Sequence, residues 1–104
     1  MKPVVSIIIT NFNKEKYVKK CLQSCLEQSY KNFEICVADN NSTDNSLKVI
    51  NKFKNKVSVF NIPRSFKTGP QNQLFCIQKM VHKSKGKIIC LLDSDDFFYK
   101  NKLK

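Results

Sequence analysis

A chain of 104 residues, 41% hydrophobic and 26% charged, has room for one domain with a modest core and is too apolar for a disordered tail. Its formal net charge is +11, yet Arg64 is the only arginine and the lysines are spread from Lys2 to Lys104. That pattern argues against a nucleic-acid reader, which leans on arginine for paired contacts to guanine. It is compatible with a general attraction to nucleotides or anionic lipid headgroups.

The first element in chain order is Val4 to Ile9, a β-branched apolar run with the character of a strand buried on both faces. It is far too short to cross a bilayer and shows no signal-peptide cleavage pattern, so the chain is expected to stay in the cytoplasm. Thr10-Asn11-Phe12-Asn13 ends it. A helix is expected from Lys14 to Gln28, because Tyr17, Val18, Cys21, Leu22, Cys25 and Leu26 recur at steps of three and four. Phe33 to Ala38 is the second strand, broken by Asp39-Asn40-Asn41. Ser42, Thr43 and Asp44 are N-cap residues for a second helix reaching Phe53. Val57 to Phe60 is a short third strand. Pro63 to Gln73 is polar, with Gly69-Pro70 as a turn signal, and a third helix is expected from Leu74 to about Ser84. Lys87 to Leu92 is a fourth strand, its apolar run predicted to be buried. The order β-α-β-α-β-α-β predicts an α/β, Rossmann-like, doubly wound and mostly parallel sheet with helices on both faces.

The fourth strand runs into Asp93-Ser94-Asp95-Asp96, which gathers three of the eight acidic residues within four positions. Carboxylates crowded at a strand's C-terminal end repel one another unless a cation or bound donors sit among them. In open α/β sheets that edge is where ligands bind. Mg²⁺ is often held by one or two carboxylates plus substrate phosphates, so a metal–diphosphate site is one reading. A solvated acidic turn that caps a following helix is the other. The five cysteines form no C-x-x-C pair and sit among apolar neighbours, as buried free thiols do. His82 lies in a polar stretch, and nothing in its spacing to Cys21 and Cys25 makes a zinc site.

Four ordered stretches resemble family 2 glycosyltransferases of the GT-A fold. They are Val5 to Asn13 (VSIIITNFN), Cys21 to Ile35 (CLQSCLEQSYKNFEI), Val37 to Ser46 (VADNNSTDNS) and Gly86 to Asp96 (GKIICLLDSDD). The family's usual forms are close to VSIIIPTYN, SLLNQTYKNFEI, VDDGSTDNS and GEYIAFLDSDD. The resemblance implies transfer of a sugar from a nucleoside-diphosphate donor, a UDP-sugar by preference, to a saccharide or lipid-linked acceptor. It implies a divalent metal, Mg²⁺ or Mn²⁺, held by Asp93, Asp95 and Asp96. It implies nucleotide contacts from Thr10, Asn11, Phe12, Asn13, Asp39 and Asp95. Phe12 either packs against the base or closes the core. Asp39 either accepts a hydrogen bond from the base, which would suit uracil, or forms an Asx turn. By analogy with bacterial polysaccharide synthesis, the lysines would suit peripheral contact with the inner membrane face.

The departures are specific. Thr10-Asn11 replaces the family's Pro-Thr, Asn40 its second Asp, and Asn41 its Gly, a position where asparagine tolerates the left-handed conformation. The family's Arg-Asn near the start of the third helix has no clear equivalent, with Gln71, Asn72 and Gln73 offered in its place. The family's catalytic base and acceptor half follow the D-x-D motif, and no acidic residue follows Asp96. The chain is therefore expected to be the donor-binding half, with the base beyond residue 104. A nucleotide-binding module without transfer activity shares every one of these residues and stays open. A phosphoacceptor-like domain would place its key Asp after the first strand, where Thr10 to Asn13 stand instead. An exposed Phe97-Phe98-Tyr99 segment would favour self-association.

Overall fold

The computed structural model describes residues 3–99 and 102–103, so Lys2 and Lys104, the ends of the lysine spread, lie outside the described residues. Four strands, β1 (Val5–Asn11), β2 (Phe33–Asp39), β3 (Ser58–Asn61) and β4 (Ile88–Asp93), alternate with helices α1 (Val18–Leu26), α2 (Ser46–Asn51) and α3 (Gly69–Lys83). The strands are all parallel, in the order β3-β2-β1-β4. The chain winds outward from β1 to β3 and then returns through α3 to place β4 on the other side of β1. That reversal makes the gap between β1 and β4 the topological switch point, where open α/β sheets bind ligands.

Alternation along the strands divides the core in two. Ile7, Ile9, Ile35 and Val37 pack with Val18, Leu22, Cys25 and Ile50 from α1 and α2. Ile8, Cys36 and Ala38 point the other way, toward Cys76 and Met80 of α3. The predicted doubly wound sheet with helices on both faces is what the chain adopts.

Four local expectations are corrected. Regular helix α1 begins at Val18 rather than Lys14, because residues 14–17 form a turn closed by the Tyr17 and Val18 amides on the Lys14 carbonyl. α2 is only six residues and stops at Asn51 rather than Phe53; Asn45 stands at its start without a side-chain cap bond, while Asp44 Oδ1 accepts from the Ser46 amide at 2.9 Å. Gly69-Pro70 does not turn the chain but opens α3, with Thr68 Oγ1 accepting from the Gln71 amide at 3.3 Å. Proline is well tolerated in a helix's first turn, where its missing N–H has no intrahelical partner in any case. β4 is an edge strand rather than a buried one: Ile88 and Leu91 are more than half exposed and only Leu92 of its apolar residues is buried. An apolar run alone does not say how many of a strand's faces are covered.

The expected burial holds for four of the five cysteines, and the segment expected to be exposed at Phe97-Phe98-Tyr99 is buried at Phe98. Cys21, Cys25, Cys36 and Cys76 are buried free thiols, and Cys90 is half-buried. His82 is exposed. After β4 the chain folds back on α1, where Phe98 is buried, its amide donating to Ser24 Oγ at 3.0 Å, while Phe97 and Tyr99 stay exposed.

Candidate functional site

An open cleft of about 360 Å³ lies along the C-terminal edge of the sheet. Its lining comes from the end of β1 (Thr10, Asn11, Phe12), from Lys14, from Asn40 after β2, and from Arg64 after β3. The first turns of α3 contribute Gly69, Pro70 and Gln73, and the end of β4 contributes Asp93, Ser94 and Asp95. Strand order separates the cleft's two ends. Phe12, Asn40 and Arg64 gather at the β2–β3 side, and the carboxylates at the β4 side.

The acidic end is anchored to β1. Thr10 and Asp93 are register partners, and Thr10 Oγ1 donates to Asp93 Oδ1 at 3.3 Å. Gln73 Nε2 donates to Thr10 Oγ1 at 3.2 Å and to the same Asp93 oxygen in a short contact. The Asp96 amide closes the loop on the Asp93 carbonyl at 2.9 Å. Asp95 projects into the cleft, 3.6 Å from Lys14 Nζ, in an ion pair with both members more than two-fifths exposed. Asp96 lines a neighbouring depression beside Ile77 and Leu91, not the cleft itself. Beneath the loop, the Cys21 thiol donates to the Asp93 carbonyl at 3.7 Å. Its hydrogen bond with Cys25, then burial and the charges of Asp96 and Asp95, push it far above the usual thiol range, so it stays a neutral thiol.

The opposite end rests on a polar network. Asn11 Nδ2 is placed among Asp39 Oδ1 (2.8 Å), Ser46 Oγ (2.9 Å) and Ser42 Oγ (3.2 Å). Asp39 is fully buried and also accepts from the Ser42 hydroxyl (2.7 Å) and amide (3.0 Å). Asp39 therefore braces its own loop through the amide three residues on, one beyond the spacing of an Asx turn, and it is not among the cleft-lining residues. Asn11 Oδ1 is buried with no protein donor among the described residues. Asn13 (φ 53°) turns away and binds the loop after β2, accepting from the Thr43 amide at 2.7 Å and the Asp44 amide at 3.2 Å. Asn41 takes the left-handed φ of 59° expected for a residue in glycine's place.

Phe12 belongs to neither hydrophobic cluster and faces the cleft instead. The Arg64 guanidinium lies 3.7 Å from the centre of its ring and donates through Nη1 to Asn40 Oδ1 at 3.0 Å. Asn40 is itself held by its Nδ2 bonds to the carbonyls of Ile62 (2.9 Å) and Pro63 (3.2 Å). Of the three residues offered in place of the family's Arg-Asn, only Gln73 lines the cleft. Asn72 is buried, tying Phe66 and Thr68 to the start of α3. Sequence reasoning missed Arg64 and Lys14 as cleft residues. A signal for Arg64 existed: the chain's only arginine follows the third strand, at the same sheet edge as the other candidates.

Among the described residues no group of three or more His, Cys, Asp or Glu side chains is placed to hold a metal ion by itself. Asp93 and Asp95 nevertheless share the cleft wall, a donor set suited to a hard cation that takes its other ligands from a phosphate-bearing molecule and water.

Residues 6–104 match the description of glycosyl transferase family 2. A glycosyltransferase of Haemophilus influenzae is 36% identical over 98% of this chain and 40% of its own length. An Escherichia coli UDP-Glc:alpha-D-GlcNAc-diphosphoundecaprenol beta-1,3-glucosyltransferase is 35% identical over 96% of this chain and 38% of its own. The crystal structure of Staphylococcus aureus TarS in complex with UDP superimposes with a TM-score of 0.76 at 29% identity, covering 99% of this chain and 30% of that one. The chain spans about two-fifths of the length of these curated relatives. With its sheet order, its cleft at the switch point and a match over nearly all its length, the chain belongs to glycosyl transferase family 2.

Proposed function

We propose that this chain is the donor-binding part of a glycosyltransferase that transfers a sugar from a UDP-sugar to a saccharide or lipid-linked acceptor. The observation that carries the proposal is the polarity of the cleft, with an aromatic, amide-rich end at β2–β3 and a carboxylate end at β4. The ends are two to three strand spacings apart, about 10–14 Å. A nucleoside diphosphate has the matching polarity, a flat base at one end and an anionic diphosphate at the other.

In this reading Phe12 offers its ring toward the base, and the backbone and side chains of Thr10 and Asn11 line the ribose. Asp39 and Asn13 fix the loops that carry those residues, Asp39 through Asn11 and Ser42, and Asn13 through Thr43 and Asp44. Asp95, with Asp93 beside it on the cleft wall, would hold Mg²⁺ or Mn²⁺, while Asp96 lies in the neighbouring depression. When bound, such an ion supplies Lewis-acid neutralisation of the charge that grows on a diphosphate leaving group. Gln73 and Thr10 hold the Asp93 carboxylate in place, and Lys14 sets a positive charge beside Asp95. The cleft acids are assigned to the donor, and the base that takes the acceptor hydroxyl's proton is assigned to none of them.

Among the described residues no helix is long and apolar enough to cross a membrane. The two exposed lysines of α1, Lys19 and Lys20, support peripheral contact with an anionic cytoplasmic leaflet near a lipid-linked acceptor.

A thermal-melt series of the full chain with UDP tests the reading. Stabilisation that grows with UDP concentration in Mn²⁺ and shrinks in chelator is expected. A melt indifferent to UDP under both conditions contradicts it.

A further inference from the structure

We infer that Arg64, oriented by Asn40 and braced on Phe12, reads the base of the bound nucleotide and selects bases with a carbonyl over those with an amino group at the equivalent position. The inference rests on the donor-binding reading above and goes beyond it by naming the selecting residue and the selected chemistry. Its ground is the absence of a carboxylate at that end of the cleft. The Asp39 carboxylate is buried and engaged by Asn11 and Ser42, and does not line the cleft. What the cleft presents there is a guanidinium on an aromatic ring and an amide committed to it.

Arg64 is exposed, but two contacts orient its guanidinium, and the second rests on an anchored partner. Its central carbon lies over the Phe12 ring, 3.7 Å from the ring centre. Its Nη1 is held by Asn40 Oδ1 at 3.0 Å. Asn40 is itself 4% exposed and fixed by the Ile62 and Pro63 carbonyls, so the anchor cannot drift. A guanidinium has five N–H donors and no acceptor. One donor is spent on Asn40, and the remainder are available to a ligand in the cleft.

A donor-only group discriminates sharply between two kinds of base. Uracil O4 and guanine O6 are acceptors, whereas cytosine N4 and adenine N6 are amino donors. A carbonyl completes the hydrogen bond. An amino group turned to Arg64 sets donor against donor and forms no hydrogen bond. Diphosphate binding by Arg64 is disfavoured by position, because the proposed ion-binding acids lie at the opposite end of the strand order, on β4.

UDP and CDP form the sharpest probe pair, since their bases differ at this carbonyl or amino group and at the adjoining ring nitrogen. Each is titrated calorimetrically in Mn²⁺ into the full chain and into Arg64→Lys, Arg64→Ala and Asp95→Asn. For the unaltered chain, UDP is expected to bind about 10-fold or more tightly than CDP. Arg64→Ala is expected to bring the two within about threefold. Arg64→Lys keeps the charge but loses the planar fork, and is expected to lose most of the preference as well. Asp95→Asn is expected to weaken both ligands by a similar factor and leave their ratio intact. Equal binding of UDP and CDP by the unaltered chain overturns the inference, as does a preference that survives both Arg64 substitutions. Either result leaves the donor-binding reading standing, whereas no binding of either nucleotide removes both.

Discussion

Asn11 and Asp39, register partners at the ends of β1 and β2, are joined by a buried hydrogen bond of 2.8 Å from Nδ2 to Oδ1. This bond ties the loop that carries Phe12 to the loop that carries Asn40, and so sets one wall of the cleft. Asn11→Ala removes a donor from a buried carboxylate and is expected to cost about 1–3 kcal/mol. Asn11→Asp sets two carboxylates together in a buried site and is expected to cost more. Urea unfolding at neutral pH measures both, and an Asn11→Ala protein as stable as the parent would show that the network holds nothing together.

Gly86 leads into β4 against Ser6 of β1. A Cβ there would meet Ser6 Oγ at 2.6 Å and the Ser6 amide nitrogen at 2.7 Å, and the latter, being backbone, cannot swing aside. Gly86→Ala is expected to destabilise by about 1–3 kcal/mol, as overpacking does. Gly69 has nothing within 4 Å of the same added atom, so Gly69→Ala, at the start of α3, is expected to be neutral or mildly stabilising. Thermal melts of the two variants should separate them clearly.

Glu34 latches the same corner. Burial alone would raise its pKa, but donation from the Ser6 hydroxyl (2.5 Å) and the Lys85 amide (2.5 Å), with Gly86 and the Lys85 charge nearby, brings the net shift below the usual carboxylate value. A carboxylate with a depressed folded-state pKa contributes stability that is present above its unfolded value, about 4.3, and lost as pH falls through the folded value. Stability profiles from pH 6 to 3 should therefore fall less steeply for Glu34→Gln than for the parent. Superimposable acid limbs would contradict the latch.

Phe12 faces the cleft rather than the core. Phe12→Ala is expected to weaken UDP binding by about 5- to 100-fold, the range of lost base–aromatic stacking. Because the ring packs in neither core cluster, unfolding stability should change little. A large loss of stability with unchanged UDP affinity would assign the ring to structure instead.

The legible part of this molecule was its periodic part. Two-sided apolar strands at Ile7 to Ile9 and Ile35 to Val37, and the stripe through Val18, Cys21, Leu22 and Cys25, announced a parallel sheet with helices on both faces. The acidic cluster after β4 likewise marked the sheet edge where the cleft lies. Positions decided by tertiary context were not legible. Gly69-Pro70 can turn a chain or start a helix, and the packing of Cys76 and Met80 on the sheet decides for the helix. The run Ile88 to Leu92 does not reveal that only one side of its strand is covered. The Thr10 to Asn13 loop and Asp39 were legible as a group, but their division of labour was not. Asp39, buried, and Asn13, at the surface, both brace loops, and Arg64, twenty-four residues beyond Asn40, arrives to meet Phe12.

The central claim, that the cleft holds a nucleoside diphosphate at its carboxylate end, is tested most directly by calorimetric titration of UDP into the full chain. The titration is run with Mn²⁺, with chelator, and with Asp95→Asn after far-UV circular dichroism shows the variant folded. Saturable UDP binding is expected in Mn²⁺, weakening at least about 10-fold on chelation and by a similar factor in Asp95→Asn. A folded chain whose UDP binding is absent, or is indifferent to both metal and Asp95, would contradict it.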